Sequence, residues 1–124
     1  GGQLSNGIVT RDECALTVTA TVVSAPRPGT VIVDAGSKTF SSDLNAHRPG
    51  YGISLDDENI YIERLSEEHG IVRVPDGVQL EIGDRLVFLP NHCCTTTNLH
   101  DRLYGVRGGR LERIIEVDAR GKVK

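Results

Sequence analysis

Between residues 14 and 24 apolar and hydroxyl side chains alternate. Leu16, Val18, Ala20 and Val22 fall on one side of an extended backbone, and Thr17, Thr19, Thr21 and Val23 fall on the other. The run is dominated by β-branched residues, so it predicts a long strand with a drier and a wetter face. Pro26-Arg27-Pro28-Gly29 breaks it, and Thr30-Val31-Ile32-Val33-Asp34 predicts a second strand across a hairpin. From Asp34 to Lys38 the chain leaves the sheet in a turn. Residues 41–57 hold Pro49-Gly50 and Tyr51-Gly52 and show no sustained period, which predicts a long loop of the kind that usually serves function. Strands are predicted again at 60–65 and 70–74, around Ser66-Glu67-Glu68-His69-Gly70, with a short one at 78–80. Gly83-Asp84 turns the chain into Arg85-Leu86-Val87-Phe88-Leu89. Residues 95–101 predict a helical turn, since three successive threonines disfavour a longer helix. Residues 103–107 and 110–117 predict a final hairpin about Gly108-Gly109. Many short strands parted by Gly and Pro predict an all-β, mainly antiparallel domain. A small β-barrel or sandwich with one long loop and at most short helical turns fits best.

The chain has 124 residues, enough for one core and short for a complete cofactor enzyme. Residues 1–13 are expected to be a linker or truncated N-terminal segment, residues 14–120 the β-domain, and residues 121–124 a tail. A net charge of −3 and 4% aromatic residues argue against a nucleic-acid partner, which needs a basic surface and rings for stacking. No apolar run is long enough to span a bilayer, so no membrane association is expected. Three cysteines and no secretory leader suggest a reducing compartment, and a cytoplasmic location is expected.

The densest candidate chemistry lies in Pro90-Asn91-His92-Cys93-Cys94-Thr95. In an extended backbone His92 and Cys94 project to the same face and Cys93 to the opposite one, so a single metal ion has access to both. Pro90 disfavours helix at Leu89 and argues for that extended approach. The plain structural alternative is a packed histidine beside a small thiol. His100 invites consideration as another ligand, but beside Asp101 it reads as a solvated histidine. Gly36-Ser37-Lys38 lacks the upstream glycine of a phosphate loop. Asp34 and Ser37 read as turn-capping residues, and Tyr51 as the anchor of its loop.

Four blocks occur in order: Cys14-Ala-Leu-Thr-Val-Thr-Ala-Thr-Val-Val-Ser24, Asp34-Ala-Gly-Ser-Lys38 with Ser41-Ser42-Asp43, Ser66-Glu-Glu-His-Gly70, and Pro90-Asn-His-Cys-Cys-Thr95. Together they resemble the C-terminal domain of the D-serine dehydratase and D-threonine aldolase-like family, the alanine-racemase-like fold type III of pyridoxal-phosphate enzymes. The resemblance covers nearly the whole chain. It implies an N-terminal (β/α)8 barrel that holds pyridoxal 5′-phosphate on a lysine, so Lys38 is not the cofactor lysine, and a C-terminal β-domain that closes over it. Only the second part is expected here, and this chain alone is expected to be inactive.

His92 and Cys94 fall on the family's metal pair, which is His-x-Cys in dehydratases and often His-x-Asp in aldolases. A thiolate favours zinc over harder divalent metals. Two protein ligands leave positions open, as a catalytic metal requires. The resemblance implies a metal that binds the β-hydroxyl of a D-β-hydroxy amino acid, for dehydration or aldol cleavage, with Cys94 in place of Asp tilting toward dehydration. It also implies a catalytic or supporting role for His69 and a homodimer of the full-length enzyme. The competing function is a freestanding β-barrel that binds a ligand or protein without catalysis.

Overall fold

A computed structural model describes residues 7–122. Among the described residues eight strands form: β1 (Val18–Arg27), β2 (Thr30–Val33), β3 (Gly52–Ser54), β4 (Tyr61–Leu65), β5 (Gly70–Arg73), β6 (Arg85–Pro90), β7 (Arg102–Arg107) and β8 (Arg110–Glu116). Two short helices accompany them, α1 (Ser37–Phe40) and α2 (Cys93–Asn98), with a 3-10 turn at Arg11–Glu13. Strands β1-β2-β5-β4-β3-β6 close into a barrel in which each ladder is antiparallel, and β7-β8 form a separate two-stranded sheet. The all-β, antiparallel expectation therefore holds, in its barrel form.

Alternation in β1 puts Ala20 and Val22 in the barrel, where Val33, Ile62, Val72 and Phe88 meet them with no exposed surface of their own beyond a trace at Ala20. Helix α1 inserts Phe40 into the same core, edge-on to Phe88 with ring centroids 5.8 Å apart. Its first two N–H groups have no partner within the helix. The β4–β5 turn supplies them: Ser37 N donates to Ser66 O and Lys38 N to Glu67 O. A side chain at Gly36 would sit 2.4 Å from Glu67 O, so only glycine permits this approach.

Several boundaries differ from the sequence reading. Strand β1 starts at Val18 and runs through Pro26 to Arg27, because a register shift between Ser24 and Arg27 places the proline where the ladder is interrupted. Residues 78–80 form no strand. The predicted loop 41–57 contains β3, which pairs with β4 on one side and β6 on the other and so closes the barrel. Its three residues are all buried, leaving no alternation to read. The N-terminal linker reading falls partly outside the described residues. Within them, Arg11 donates to Leu55 O and pairs with Glu58, tying this segment to the barrel. Among the described residues no helix is long and apolar enough to cross a membrane.

The β7-β8 ribbon stands apart from the barrel. Tyr104 lies opposite Ile114 and Val106 opposite Leu111, and all four are more than half exposed.

Phe88→Ala is expected to cost about 3–5 kcal/mol, as removal of a buried ring leaves a cavity, whereas Val23→Ala on the outer face should change stability by less than about 0.5 kcal/mol. Urea denaturation followed by circular dichroism checks both.

Candidate functional site

Asp43 gathers the candidate site. Its Oδ2 accepts from Thr95 Oγ1 at 2.7 Å and lies 2.8 Å from His92 Nδ1. A carboxylate only accepts, so in the neutral imidazole Nδ1 carries the proton and Nε2 keeps its lone pair. His92 is about half exposed, which leaves Nε2 open to a ligand from solvent. The Thr95 hydrogen bond, then that from His92, hold the Asp43 carboxyl below the ordinary carboxylate range.

The loop carrying Asp43 is pinned from β6. Asn91 uses both amide protons, one on Asp43 O at 3.0 Å and one on Gly50 O at 2.8 Å. Thr96, fully buried, places its hydroxyl 2.8 Å from His92 O and 3.2 Å from Phe40 O, binding α2 to α1.

One expectation about His92 and Cys94 is corrected. Extended backbone ends at His92, with φ −138° and ψ 106°, and α2 begins at Cys93. The alternation that would align His92 with Cys94 therefore does not continue past His92. Pro90 restricts the residue before it and exerts no such restraint three residues later, while Thr96 N bonds back to His92 O and starts the helix. Cys93 and Cys94 are both exposed and free, and the Cys93 thiol beside it pushes the Cys94 thiol up. Among the described residues no group of three or more His, Cys, Asp or Glu converges to hold a metal ion. What the chain offers is a two-donor set: an imidazole oriented by a carboxylate, and a thiol two residues on.

His69 occupies a different surface. It closes the β4–β5 turn, where its N–H donates to Ser66 Oγ and Ser66 N donates to His69 O. Its side chain edges an open groove of about 500 Å³ lined by Val23, Ile32, Leu65 and Ile71, and none of Asp43, His92 or Cys94 lines that groove. Helix α1 connects the two places, with its start on Ser66 and Glu67 and its end leading to Asp43. Lys38 is an exposed ammonium paired with Glu68 at 2.5 Å and Glu67 at 3.3 Å, and these carboxylates raise its pKa. Such a charge-locked amine is a poor nucleophile. Asp34 braces β1, its Oδ1 accepting from Thr21 N at 2.7 Å. His100 lies 3.2 Å from Thr39 O through Nε2, and Tyr51 packs against the core while its N–H donates to Ile62 O.

Asp43 lies within one of the four blocks with no role legible there, and Thr95 and Asn91 do not stand out within theirs. Their signal was present in the Ser41-Ser42-Asp43 and Pro90–Thr95 blocks. What was missing was contact across 49 residues of chain.

The class of this small antiparallel barrel, with its carboxylate-oriented histidine at the end of β6, comes from comparison. The family described as "Putative serine dehydratase domain" matches residues 15–106. The chain belongs to that family. It is 42% identical over 125 residues to an uncharacterised protein of Mycobacterium tuberculosis, covering 97% of this chain and 94% of that one. It is 38% identical over 110 residues to 3-hydroxy-D-aspartate aldolase of Paracoccus denitrificans, covering 89% of this chain and 27% of the aldolase. The crystal structure of D-threonine aldolase from Filomicrobium marinum is similar with a TM-score of 0.75 and 34% identity, over 87% of this chain and 29% of that one. The chain thus spans nearly the full length of one kind of relative and under a third of the other.

Thr95→Val is expected to raise the titration midpoint of Asp43 toward the ordinary aspartate value of about 3.9, because it removes the larger of the two bonds to the carboxylate. In the wild type the stabilisation from this ionised group is complete above the unfolded pKa and is lost only as pH falls through the lowered folded value. A ¹³C NMR titration of the Asp43 carboxyl checks the direction.

Proposed function

We propose that this domain is the metal-bearing C-terminal part of a pyridoxal-phosphate-dependent lyase acting on D-β-hydroxy amino acids, with His92 and Cys94 as protein ligands of a divalent metal. The observation that carries this reading is the 2.8 Å contact between His92 Nδ1 and Asp43 Oδ2. Metal-ligating histidines nearly always donate their other ring N–H to a carboxylate or carbonyl, which fixes the tautomer and raises ligand basicity. His92 is in that state already. A nitrogen and a sulfur donor together favour zinc over magnesium or manganese. Cys94 has to lose its proton to bind, so uptake should release a proton and weaken as pH falls.

When bound, such a metal supplies Lewis acidity toward the substrate β-hydroxyl. The chain's own contribution is positional. Asp43 and Thr95 hold the imidazole plane, the start of α2 carries the thiol, and solvent exposure of both leaves room for substrate oxygen. His69, on its separate turn, is proposed to face the remainder of the site from the β4–β5 side. Lys38 is held as an ammonium by two glutamates, which leaves it poorly suited to carry pyridoxal phosphate. In this reading the cofactor, which supplies the electron sink at the substrate Cα, is held by a separate N-terminal barrel domain. The uncovered apolar side of β7-β8 supports the same reading. A two-stranded ribbon is marginal by itself, and an exposed apolar face of this kind marks a docking surface.

The second reading is a freestanding module that binds a ligand or protein without catalysis. It is favoured by the Mycobacterium tuberculosis relative, of which this chain covers 94%.

Wild-type protein dialysed against zinc is expected to retain close to one equivalent and His92→Ala/Cys94→Ala to retain none, with Asp43→Asn binding about 10–100-fold more weakly. Metal-free wild type after that treatment favours the second reading. In a separate assay the isolated chain should leave the absorbance of added pyridoxal phosphate unchanged and turn over neither D-serine nor D-threonine. Robust turnover would overturn the assignment of the cofactor to another domain.

A further inference from the structure

Ser41 is the one non-glycine residue with positive φ among the described residues, at φ 66° and ψ −177°. That region belongs almost entirely to glycine, and a side chain persists there only where its surroundings over-determine it. We infer that Ser41 is the positioning residue of the Asp43–His92 pair, its strained backbone turning Asp43 toward the imidazole and its hydroxyl holding it there.

The chain on either side of Ser41 is fixed independently. Before it, Phe40 is locked in the core against Phe88, and Ser41 N closes α1 on Ser37 O at 2.9 Å. After it, Asn91 holds Asp43 O. Only a sharp reversal at residue 41 joins a buried Phe40 to an Asp43 facing α2. The hydroxyl then works twice. Ser41 Oγ accepts from Asp43 N at 3.3 Å, a local turn of the serine type, and lies 3.2 Å from Thr95 Oγ1. Thr95 has one hydroxyl proton, and its 2.7 Å bond to Asp43 takes it. The Ser41 proton is therefore left to donate into the same cluster, within reach of both Thr95 Oγ1 and the Asp43 carboxylate, and His92 donates to Asp43 from the other side. Bonds in such a cluster strengthen one another. Glycine would satisfy the backbone here, so a serine in its place points to use of the hydroxyl.

The value of this arrangement for function rests on the metal reading above, but its test does not. Ser41→Gly relieves the backbone and removes the hydroxyl; Ser41→Ala removes the hydroxyl and keeps the strain. In metal-free protein at a pH where the ring is neutral, ¹⁵N NMR should find His92 protonated at Nδ1 in the wild type and a new Nε2-protonated population in both variants. Zinc affinity, measured by chelator competition, should fall about 10-fold in both. Ser41→Gly should melt at or above the wild-type temperature, and Ser41→Ala below it. An unchanged His92 tautomer in both variants overturns the inference, as does a Ser41→Gly protein that loses affinity only in proportion to lost fold. Wild type that takes up no zinc, while the tautomer still shifts, overturns the metal reading alone and leaves the role of Ser41 standing.

Discussion

Closure of the barrel through Gly52–Ser54 is the constraint on which the rest of the molecule depends. Ile53 pairs with Tyr61 on one side, and all three residues pair on the other with Pro90, Leu89 and Phe88. Without them β4 and β6 would be open edges with unpaired backbone groups. With them, the end of β6 lies beside the loop that precedes β3, and Asn91 reaches Gly50 O and Asp43 O. The site is a consequence of that adjacency. His92 and Asp43 meet because the strand that leads to one closes against the strand that follows the other.

A second support comes from α1, too short to be stable by itself. It exists because the β4–β5 turn satisfies its first N–H groups and Phe40 anchors its end in the core. The Gly36 approach to Glu67 and the strained Ser41 bracket this single turn, one where no side chain fits and one where a side chain sits in glycine's conformation. Both irregularities serve the same end, which is to carry the chain from the β4–β5 turn across the barrel mouth to α2. Local strain of this sort is tolerated where packing on both sides determines the path, and it concentrates where side chains must be aimed.

Relatives of two sizes give the domain two settings. In the larger lyases it accounts for under a third of the chain, while the mycobacterial relative is nearly coextensive with it. The exposed apolar face of β7-β8 is a feature that gains from a neighbour. Pairing Leu103 with Ile115 and Arg102 with Glu116 gives the ribbon its register, yet the ribbon contributes nothing to the barrel core.

Much of this was written in the amino-acid order. Alternation in β1, the β-branched runs, and the Gly and Pro breaks determined an antiparallel β domain, since side chains in a strand must take opposite faces whatever lies around them. The order of four motif blocks determined the family. Three features stayed out of reach. Strand β3 is shorter than one readable period and buried on both faces, so no pattern marked it. The helical start at Cys93 rests on Thr96, whose N–H donates to His92 O and whose hydroxyl lies 3.2 Å from Phe40 O, 56 residues away. The pairing of Asp43 with His92 joins residues 49 apart, and nothing local to either reports the other. Sequence by itself determined which donor and acceptor groups the chain has to offer, because residue type decides what can bind a metal or accept a proton. Only the tertiary structure decided which nitrogen of His92 is free, because a tautomer is set by the partner that the fold brings to the ring.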